Sequence, residues 1–548
     1  MKKYIIGAFA LLFSATACNL DEDPYTIGGD MTQQEEGASL VVTAMYNTFW
    51  STELMKKSYM ECIDMDHDHS AAPTWVMSGA GDGNITTHWS YNNPSDPFNA
   101  FYLLINRANF AIEKLPDAQQ IEEVQRNQYL GEAYFLRAFG YFHLVRMYGP
   151  IPLRLQSEDI GDMARSSVTK IYKQITDDLI EASNLMQWST SSGDWGHANK
   201  MAAKLLLARV YVTMGSAALA GSVDMNVDIK GVKKTFTTDA VAGYEDVDAT
   251  ECYTLAKTLC DEIIERKGIE FDYMPSFKKL WGAENVRNKE FVWGITSDTQ
   301  TEYQTAHLGY YYSAICYQGR GWAGITEHAY KLYDDTDERG EDGIFHFIKQ
   351  TYTTTSAYIR IPDDINKYGI APDGKESRAD GNNYYKTIFI TKWYLGDGSV
   401  DNPTPNLTAP GYTYRAQDIP MLRFIEAYLL RAEALNELGY SAEALTDVDV
   451  VRTRAKATLV TGTTTDKTDV RSIIMQERAL EFVQEFNRKF DLLRWGLYLK
   501  VMNATGSVRI QGSGVSISKI REPRSVLYAV PLNEINNNKL FGENNSGW

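Results

Sequence analysis

The chain has 548 residues, and its 54 lysines and arginines are outweighed by 71 aspartates and glutamates, giving a formal net charge of −17. Nucleic acid and anionic membrane surfaces both require a basic face, for counterion release or electrostatic attraction, so this balance makes them poor candidate partners. By length alone the chain would hold about three or four domains.

The N-terminus reads as an export signal. Lys2 and Lys3 form a cationic start, Ile5 to Phe13 an apolar run, and Ser14-Ala15-Thr16-Ala17 a small-residue stretch directly before Cys18. That run is much shorter than the roughly 20 residues a membrane helix needs, so residues 1–17 are predicted to be cleaved. The pattern looks like a bacterial lipoprotein signal, which would make Cys18 the first mature residue; an ordinary secretory signal with a chance cysteine is the alternative. Loss of Lys2 and Lys3 takes the net charge to −17 − 2 = −19. Residues 18–40 read as the anchoring cysteine and its tether, and no later apolar segment reads as long enough to span. Four more cysteines follow, Cys62, Cys252, Cys260 and Cys316. Cys252 and Cys260 lie on a helical segment about 12 Å apart, too far for a disulfide, and all four are predicted to be small buried hydrophobes.

Three segments align around alanines: Ala133-Tyr-Phe-Leu-Arg-Ala138, Ala203-Lys-Leu-Leu-Leu-Ala208 and Ala427-Tyr-Leu-Leu-Arg-Ala432. The second and third run on to Gly215 and Gly439, read as helix-terminating glycines. Helical partners are predicted at 98–115, 168–186 and 441–455. Small residues at a crossing with large apolar ones around them suit close helix pairing, and the pattern resembles tetratricopeptide-type repeats. Their spacing departs from a fixed period of about 34 residues, so insertions must leave the helical scaffold and return. The largest, about 268–420, is rich in Tyr, Trp, Gly, Asp and Thr and reads as loops, short strands and small helices. Residues 221–243 alternate apolar and polar and read as a hairpin.

Four segments taken in order resemble the SusD/RagB family, the surface glycan-binding lipoproteins of starch-utilisation-type systems. They are Gly131-Glu-Ala-Tyr-Phe-Leu-Arg-Ala-Phe-Gly-Tyr-Phe-His-Leu-Val-Arg-Met-Tyr-Gly-Pro-Ile-Pro-Leu153, Glu426-Ala-Tyr-Leu-Leu-Arg-Ala-Glu-Ala-Leu435, Glu477-Arg-Ala-Leu-Glu-Phe482 with Asp491-Leu-Leu-Arg-Trp495, and Leu527-Tyr-Ala-Val-Pro-Leu-Asn-Glu-Ile-Asn536. With Cys18 the likeness spans nearly the whole mature chain. It implies a mostly α, SusD-like fold in one domain over 41–548, with helical repeats at about 98–216 and 420–500 and a glycan-facing excursion at about 268–420. It also implies fatty acylation of Cys18, of the palmitate kind, and a position on the outer membrane facing out from the cell. Asp21-Glu22-Asp23 resembles the acidic export tag of such lipoproteins. The implied partner is a TonB-dependent, SusC-type barrel over which the protein sits as a lid.

Within the third motif Val483, Phe486, Phe490 and Leu493 recur at three and four, one buried helical stripe. Glu485 with Arg488 and Asp491 with Arg494 read as surface pairs contributing a few tenths of a kcal/mol each. These residues mark scaffold. The ligand site is expected elsewhere: the C–H faces of sugars need flat aromatic platforms flanked by polar groups, and in the family that arc is built from the loop before the first repeat helix and from the excursion. Those regions supply Trp75, Trp89, Tyr310, Tyr311, Tyr312 and Trp322, with Asp66, Asn92, Asn93 and Arg320 beside them. The plain alternative is that several of these rings are core.

No His-Glu-x-x-His, Gly-x-Ser-x-Gly or P-loop occurs. The one dense ligand cluster is Asp64-Met-Asp66-His-Asp68-His69, which lacks the glycine and the terminal glutamate of a calcium loop and reads as a polar surface loop near the ligand face. No metal, cofactor or catalytic residue is assigned. The expected function is non-catalytic capture of oligosaccharide and its delivery to the transporter; the alternatives are a surface glycoside hydrolase and, on the repeats alone, a peptide-binding adaptor.

Overall fold

The computed structural model describes residues 34–51, 54–55, 58–71, 97–190, 195–277, 279–281, 287–296, 312, 324–349, 358–361, 365–370, 388–393, 418–509 and 516–548. Helices dominate. The chain enters through α1 (Glu35–Asn47) and α2 (Ser58–Asp64), forms a two-residue strand β1 (Ser70–Ala71), and then builds α3 (Pro97–Lys114), α4 (Glu123–Tyr148), α5 (Val168–Leu185) and α6 (Lys200–Leu219). A hairpin follows, β2 (Asp224–Ile229) and β3 (Val232–Thr237), and then α7 (Ala249–Glu265). The excursion contributes β4 (Phe291–Ile295) and β5 (Gly324–Ile325) before the chain returns as β6 (Ile419–Arg423), α8 (Glu426–Glu437), α9 (Ser441–Arg454), α10 (Lys467–Glu481), α11 (Arg488–Arg494) and α12 (Tyr498–Thr505).

The expected helical partners are α3, α5 and α9, and each packs on the alanine-bearing helix it was assigned to; α7 adds a further layer, so that α3 to α9 stack in chain order, each on the next. Side-chain caps set where these helices start. Ser167, Asn199, Asp248 and Asp466 each accept a backbone N–H of the first turn of α5, α6, α7 and α10, satisfying donors that have no intrahelical partner. The crossings are close because the residues there are small. A Cβ on Gly140 of α4 would lie 2.9 Å from Ile105 of α3, and one on Gly215 of α6 would lie 2.9 Å from the ring of Tyr253 of α7. Gly215 therefore serves helix packing; it does not end the helix, which continues to Leu219. Gly439 does follow α8, at φ +94°. Helix α6 is long and apolar enough to cross a membrane by length and composition, yet it lies largely buried between α5, α7 and α8.

The hairpin expected in 221–243 forms with register Asp224↔Thr237 to Ile229↔Val232. Its alternation sends Met225, Val227 and Ile229 inward onto Trp495, Val501 and Met502, while β3 stays exposed. Strands β4 and β6 pair antiparallel, Phe291↔Arg423 to Ile295↔Ile419. This pairing brings chain from the start of the excursion beside the chain that returns from it.

One helical reading is corrected. Val483, Phe486 and Phe490 are buried and Leu493 partly so, but they do not share a helix. α10 ends at Glu481, the chain turns through Gln484 and Phe486 at φ +57° and +63°, and α11 begins at Arg488. The turn is held from outside, by a hydrogen bond from the Phe486 N–H to Asp64, 3.0 Å.

Candidate functional site

Residues 64–71 form the base of the site, and every charged side chain in them is committed. Asp64 accepts hydrogen bonds from Tyr312 Oη at 2.7 Å and the Phe486 N–H. Asp66 accepts from Lys489 at 2.6 Å, Arg521 at 2.8 Å and Tyr498 at 2.6 Å. Asp68 is held bidentately by Arg488 at 2.7 and 3.0 Å. Lys519 donates to the carbonyls of His67 and Ser70 and to the Ser70 hydroxyl. Helices α11 and α12 and the C-terminal segment therefore grip this strip by charge-assisted hydrogen bonds, the strong kind.

Burial sets the titration of the strip. It pushes the Asp64 carboxyl up to about 7, with Tyr312 and the Phe486 amide opposing. In Asp66 and Asp68 burial is outweighed by Lys489 with Arg521 and by Arg488, which hold both carboxyls well below the usual range. Burial pulls His67 down to about 3 and His69 below its ordinary value, so both rings are neutral at pH 7.

Just past the strip, β1 pairs antiparallel with β5: Ser70↔Ile325 and Ala71↔Gly324. The Thr326 N–H donates to His69 O at 2.9 Å, and the Ile325 N–H to Ile388 O at 2.8 Å. Two sequence-distant segments, 72–96 and 313–323, therefore have adjoining roots. The second also starts on this base, since Tyr312 is fully buried, bonds Asp64 and lies 6.1 Å from Trp393, ring to ring.

Beneath the excursion runs a second set of buried ions. Glu481 meets Arg454 at 2.6 Å, Arg423 at 2.7 Å and Arg339 at 3.2 Å. Glu290 meets Arg423 at 2.6 Å and Arg454 at 3.2 Å, and Glu477 bridges Arg339 at 2.7 Å and Arg452 at 2.6 Å. Glu485 binds Arg423 at 2.8 Å and Lys392, and Asp337 binds Arg339 at 2.8 Å. Five cations (Arg339, Lys392, Arg423, Arg452, Arg454) face five buried anions (Glu290, Asp337, Glu477, Glu481, Glu485), and Arg452 also meets the partly exposed Asp334 at 3.1 Å. Arg339, Asp337 and Lys392 belong to the excursion and the glutamates of α10 to the scaffold: the third motif is the electrostatic keel of the fold.

Several sequence readings change here. Asp66 is 2 % exposed with its carboxylate fully engaged, and Tyr312 is 0 % exposed, so both are structural and neither is a free sugar contact. The strip 64–69 is buried, not a surface loop. Glu485 and Arg488 do not pair with each other; they bind Lys392 with Arg423 and Asp68 respectively, whereas Asp491 and Arg494 do pair, at 3.0 Å and buried. Cys62, Cys252 and Cys260 are buried, as expected. Cys18, Trp75, Trp89, Asn92, Asn93, Tyr310, Tyr311, Cys316, Arg320 and Trp322 lie outside the described residues. Among the described residues no three His, Cys, Asp or Glu side chains converge as a metal site.

This architecture recurs in solved structures. The fold is that of a SusD homolog from Bacteroides thetaiotaomicron, with a TM-score of 0.71 at 20% identity over 95% of this chain and 98% of that one. A model of the SusD family matches residues 289–548, and one described as starch-binding, associating with outer membrane, matches 21–212. The chain belongs to the SusD/RagB family. It is similar to a SusD-like protein of Formosa agariphila, 22% identical over 99% of this chain and 98% of the relative. It is also similar to the starch-binding protein SusD of Bacteroides thetaiotaomicron, 22% identical over 98% and 91%.

Proposed function

We propose that this protein is a non-catalytic, outer-membrane glycan-binding lipoprotein, anchored through Cys18, that captures oligosaccharide at the cell surface and delivers it to a TonB-dependent SusC-type transporter. The observation that carries the binding role is the β1–β5 pairing. It roots the segment bearing Trp75, Trp89, Asn92 and Asn93 beside the segment bearing Arg320 and Trp322, on a base whose carboxylates are already engaged. Two aromatic-bearing segments on one fixed base suit a flat sugar platform, since aromatic rings bury large area with little loss of rotamer freedom. Membership of the SusD/RagB family and the starch-binding relative support the ligand class. Tyr310 and Tyr311, just ahead of buried Tyr312, belong to the same proposed face.

Binding to neutral oligosaccharide is expected in the millimolar to micromolar range, about −4 to −8 kcal/mol, because a shallow platform gains little per ring. Trp89→Ala and Trp322→Ala should each weaken it several-fold in calorimetric titration, with the thermal midpoint almost unmoved. A normally folded double variant with unchanged affinity would remove this site, and a collapsed midpoint would make the rings core.

Replacing Cys18 with alanine should yield a soluble protein that no longer stains on intact cells and incorporates no fatty-acid probe. Continued labelling would end the lipoprotein reading. The abundant carboxylates leave a glycoside hydrolase as the competing activity, and sustained reducing-sugar release from candidate glycans by purified protein would favour it.

A further inference from the structure

A cleft of about 420 Å³ opens between the β2–β3 hairpin, the chain ahead of α10 and the exposed side of α10 itself. Its walls carry Asn226 and Lys233 from the hairpin, Thr464 from the connection, and Ser472, Gln476 and Glu477 from α10, over an apolar floor of Val460 and Ile473. The size falls within the range of about 300–1,000 Å³ typical of small-molecule sites. Both walls are regular elements fixed to each other: Lys233 pairs with Asp469 at 2.7 Å, Asn226 Nδ2 donates to Asp469 at 2.9 Å, and the Asn226 N–H donates to Ser472 at 2.9 Å. The cleft is preformed.

Its chemistry is selective. The cations that line it are already neutralised, Lys233 by Asp469 and Arg452 by Glu477 and Asp334, so no free positive charge awaits an anion. The side-chain amide of Gln476 has no hydrogen-bond partner among the described residues, and the Thr464 hydroxyl accepts from the Asp466 N–H while keeping its own proton to donate. Amide and hydroxyl groups offering both donors and acceptors, beside an apolar floor and without net cationic charge, match a neutral polyhydroxylated ring. Position adds a further argument. Asp228, on the cleft wall, has its carbonyl 3.2 Å from His328 Nε2, and His328 lies on the helical turn directly after β5, the root of one aromatic-bearing segment.

We propose that this cleft is a second saccharide site, which holds neutral sugar units by hydrogen bonding, beside and in addition to the aromatic platform. The inference rests on the glycan-binding reading above. A Gln476→Leu/Thr464→Val variant removes the free polar groups and leaves both ion pairs intact.

The test uses the mature chain titrated with maltotriose, laminaritriose, cellotriose and their hexasaccharides, with crystals soaked in each trisaccharide. We expect a sugar ring in the cleft, and hexasaccharide affinity lowered about three- to tenfold in the Gln476→Leu/Thr464→Val variant. In a Trp89→Ala/Trp322→Ala background weak saccharide binding should persist, and the cleft substitutions should abolish it. Wild-type affinity in the cleft variant together with an empty cleft in the soaks overturns the cleft alone, leaving the platform standing. Binding that survives in the Trp background and is lost with the cleft substitutions supports the cleft whatever the fate of the platform. A glucuronate-terminated trisaccharide that binds the cleft more tightly than its neutral counterpart overturns the neutral class. Failure of every saccharide to bind the wild-type chain overturns both readings.

Discussion

Glu481→Ala should cost about 3–5 kcal/mol of folding stability, the penalty for removing one partner from a buried ion cluster. Glu481 is fully buried, and its carboxylate is shared among Arg339, Arg423 and Arg454. Burial alone would raise its pKa, yet these guanidinium groups with Lys392 hold it well below the usual range, so the carboxylate is ionised at neutral pH. Its loss would leave Arg339, Arg423 and Arg454 leaning on Glu290, Glu477, Glu485 and Asp337 alone. Urea unfolding monitored by circular dichroism measures the difference. A loss below about 1 kcal/mol, the scale of an exposed pair, would show that the cluster relaxes or is wet.

Acid should be nearly as damaging. His67, His69 and His143 are buried and held below their ordinary pKa by desolvation, His67 at about 3. In the unfolded chain they titrate near 6.5. Below that pH the unfolded state takes up three protons that the native state refuses, so stability falls as pH drops. Asp64 works the other way: raised to about 7 in the fold against about 3.9 unfolded, it holds a proton in the native state alone across that window, and stabilises as pH falls. Asp178 and Asp447, also raised by burial, join Asp64 only as pH nears the carboxylate range, so just below about pH 6.5 the three histidines dominate and the unfolded state takes up more protons than the fold. Below about pH 4 the depressed carboxyls of Asp66, Asp68 and Asp491 add to the loss, since their unfolded counterparts protonate first. Denaturant midpoints taken from pH 7.5 to 4.5 should fall steadily. A flat or rising profile would mean that these histidines are hydrated and charged in the fold.

The helical scaffold was legible because its determinants are local. Alanine-centred segments with apolar residues at helical spacing placed α3, α5 and α9 within a residue or two of their observed limits, and period-two alternation placed the hairpin. The base of the site was not legible, for an equally physical reason. Asp64 to His69 has the composition of a solvated loop, and what buries it is a set of cations more than 400 positions away: Lys489 is 423 residues from Asp66 and Arg488 is 420 from Asp68. No window on the sequence contains both partners. The same distance effect hid the keel, where Arg423 reaches back 133 residues to Glu290 and Arg454 reaches back 164. Spacing misled most at Glu485 and Arg488, whose separation of three invites a local pair, while the left-handed turn at Phe486 sends them to different neighbours.

The short β1–β5 ladder also bears on how specificity can diverge in a protein of this kind. Residues 72–96 and 313–323 depart from adjoining points on a buried base whose carboxylates are paired with scaffold cations, and those ion pairs involve no residue of either segment. But the two share a threshold, Ala71 against Gly324, and on the proposed platform a ligand held between them would be read by both at once. Transplanting one of them into a relative should import half a preference, and transplanting the pair should import a whole one.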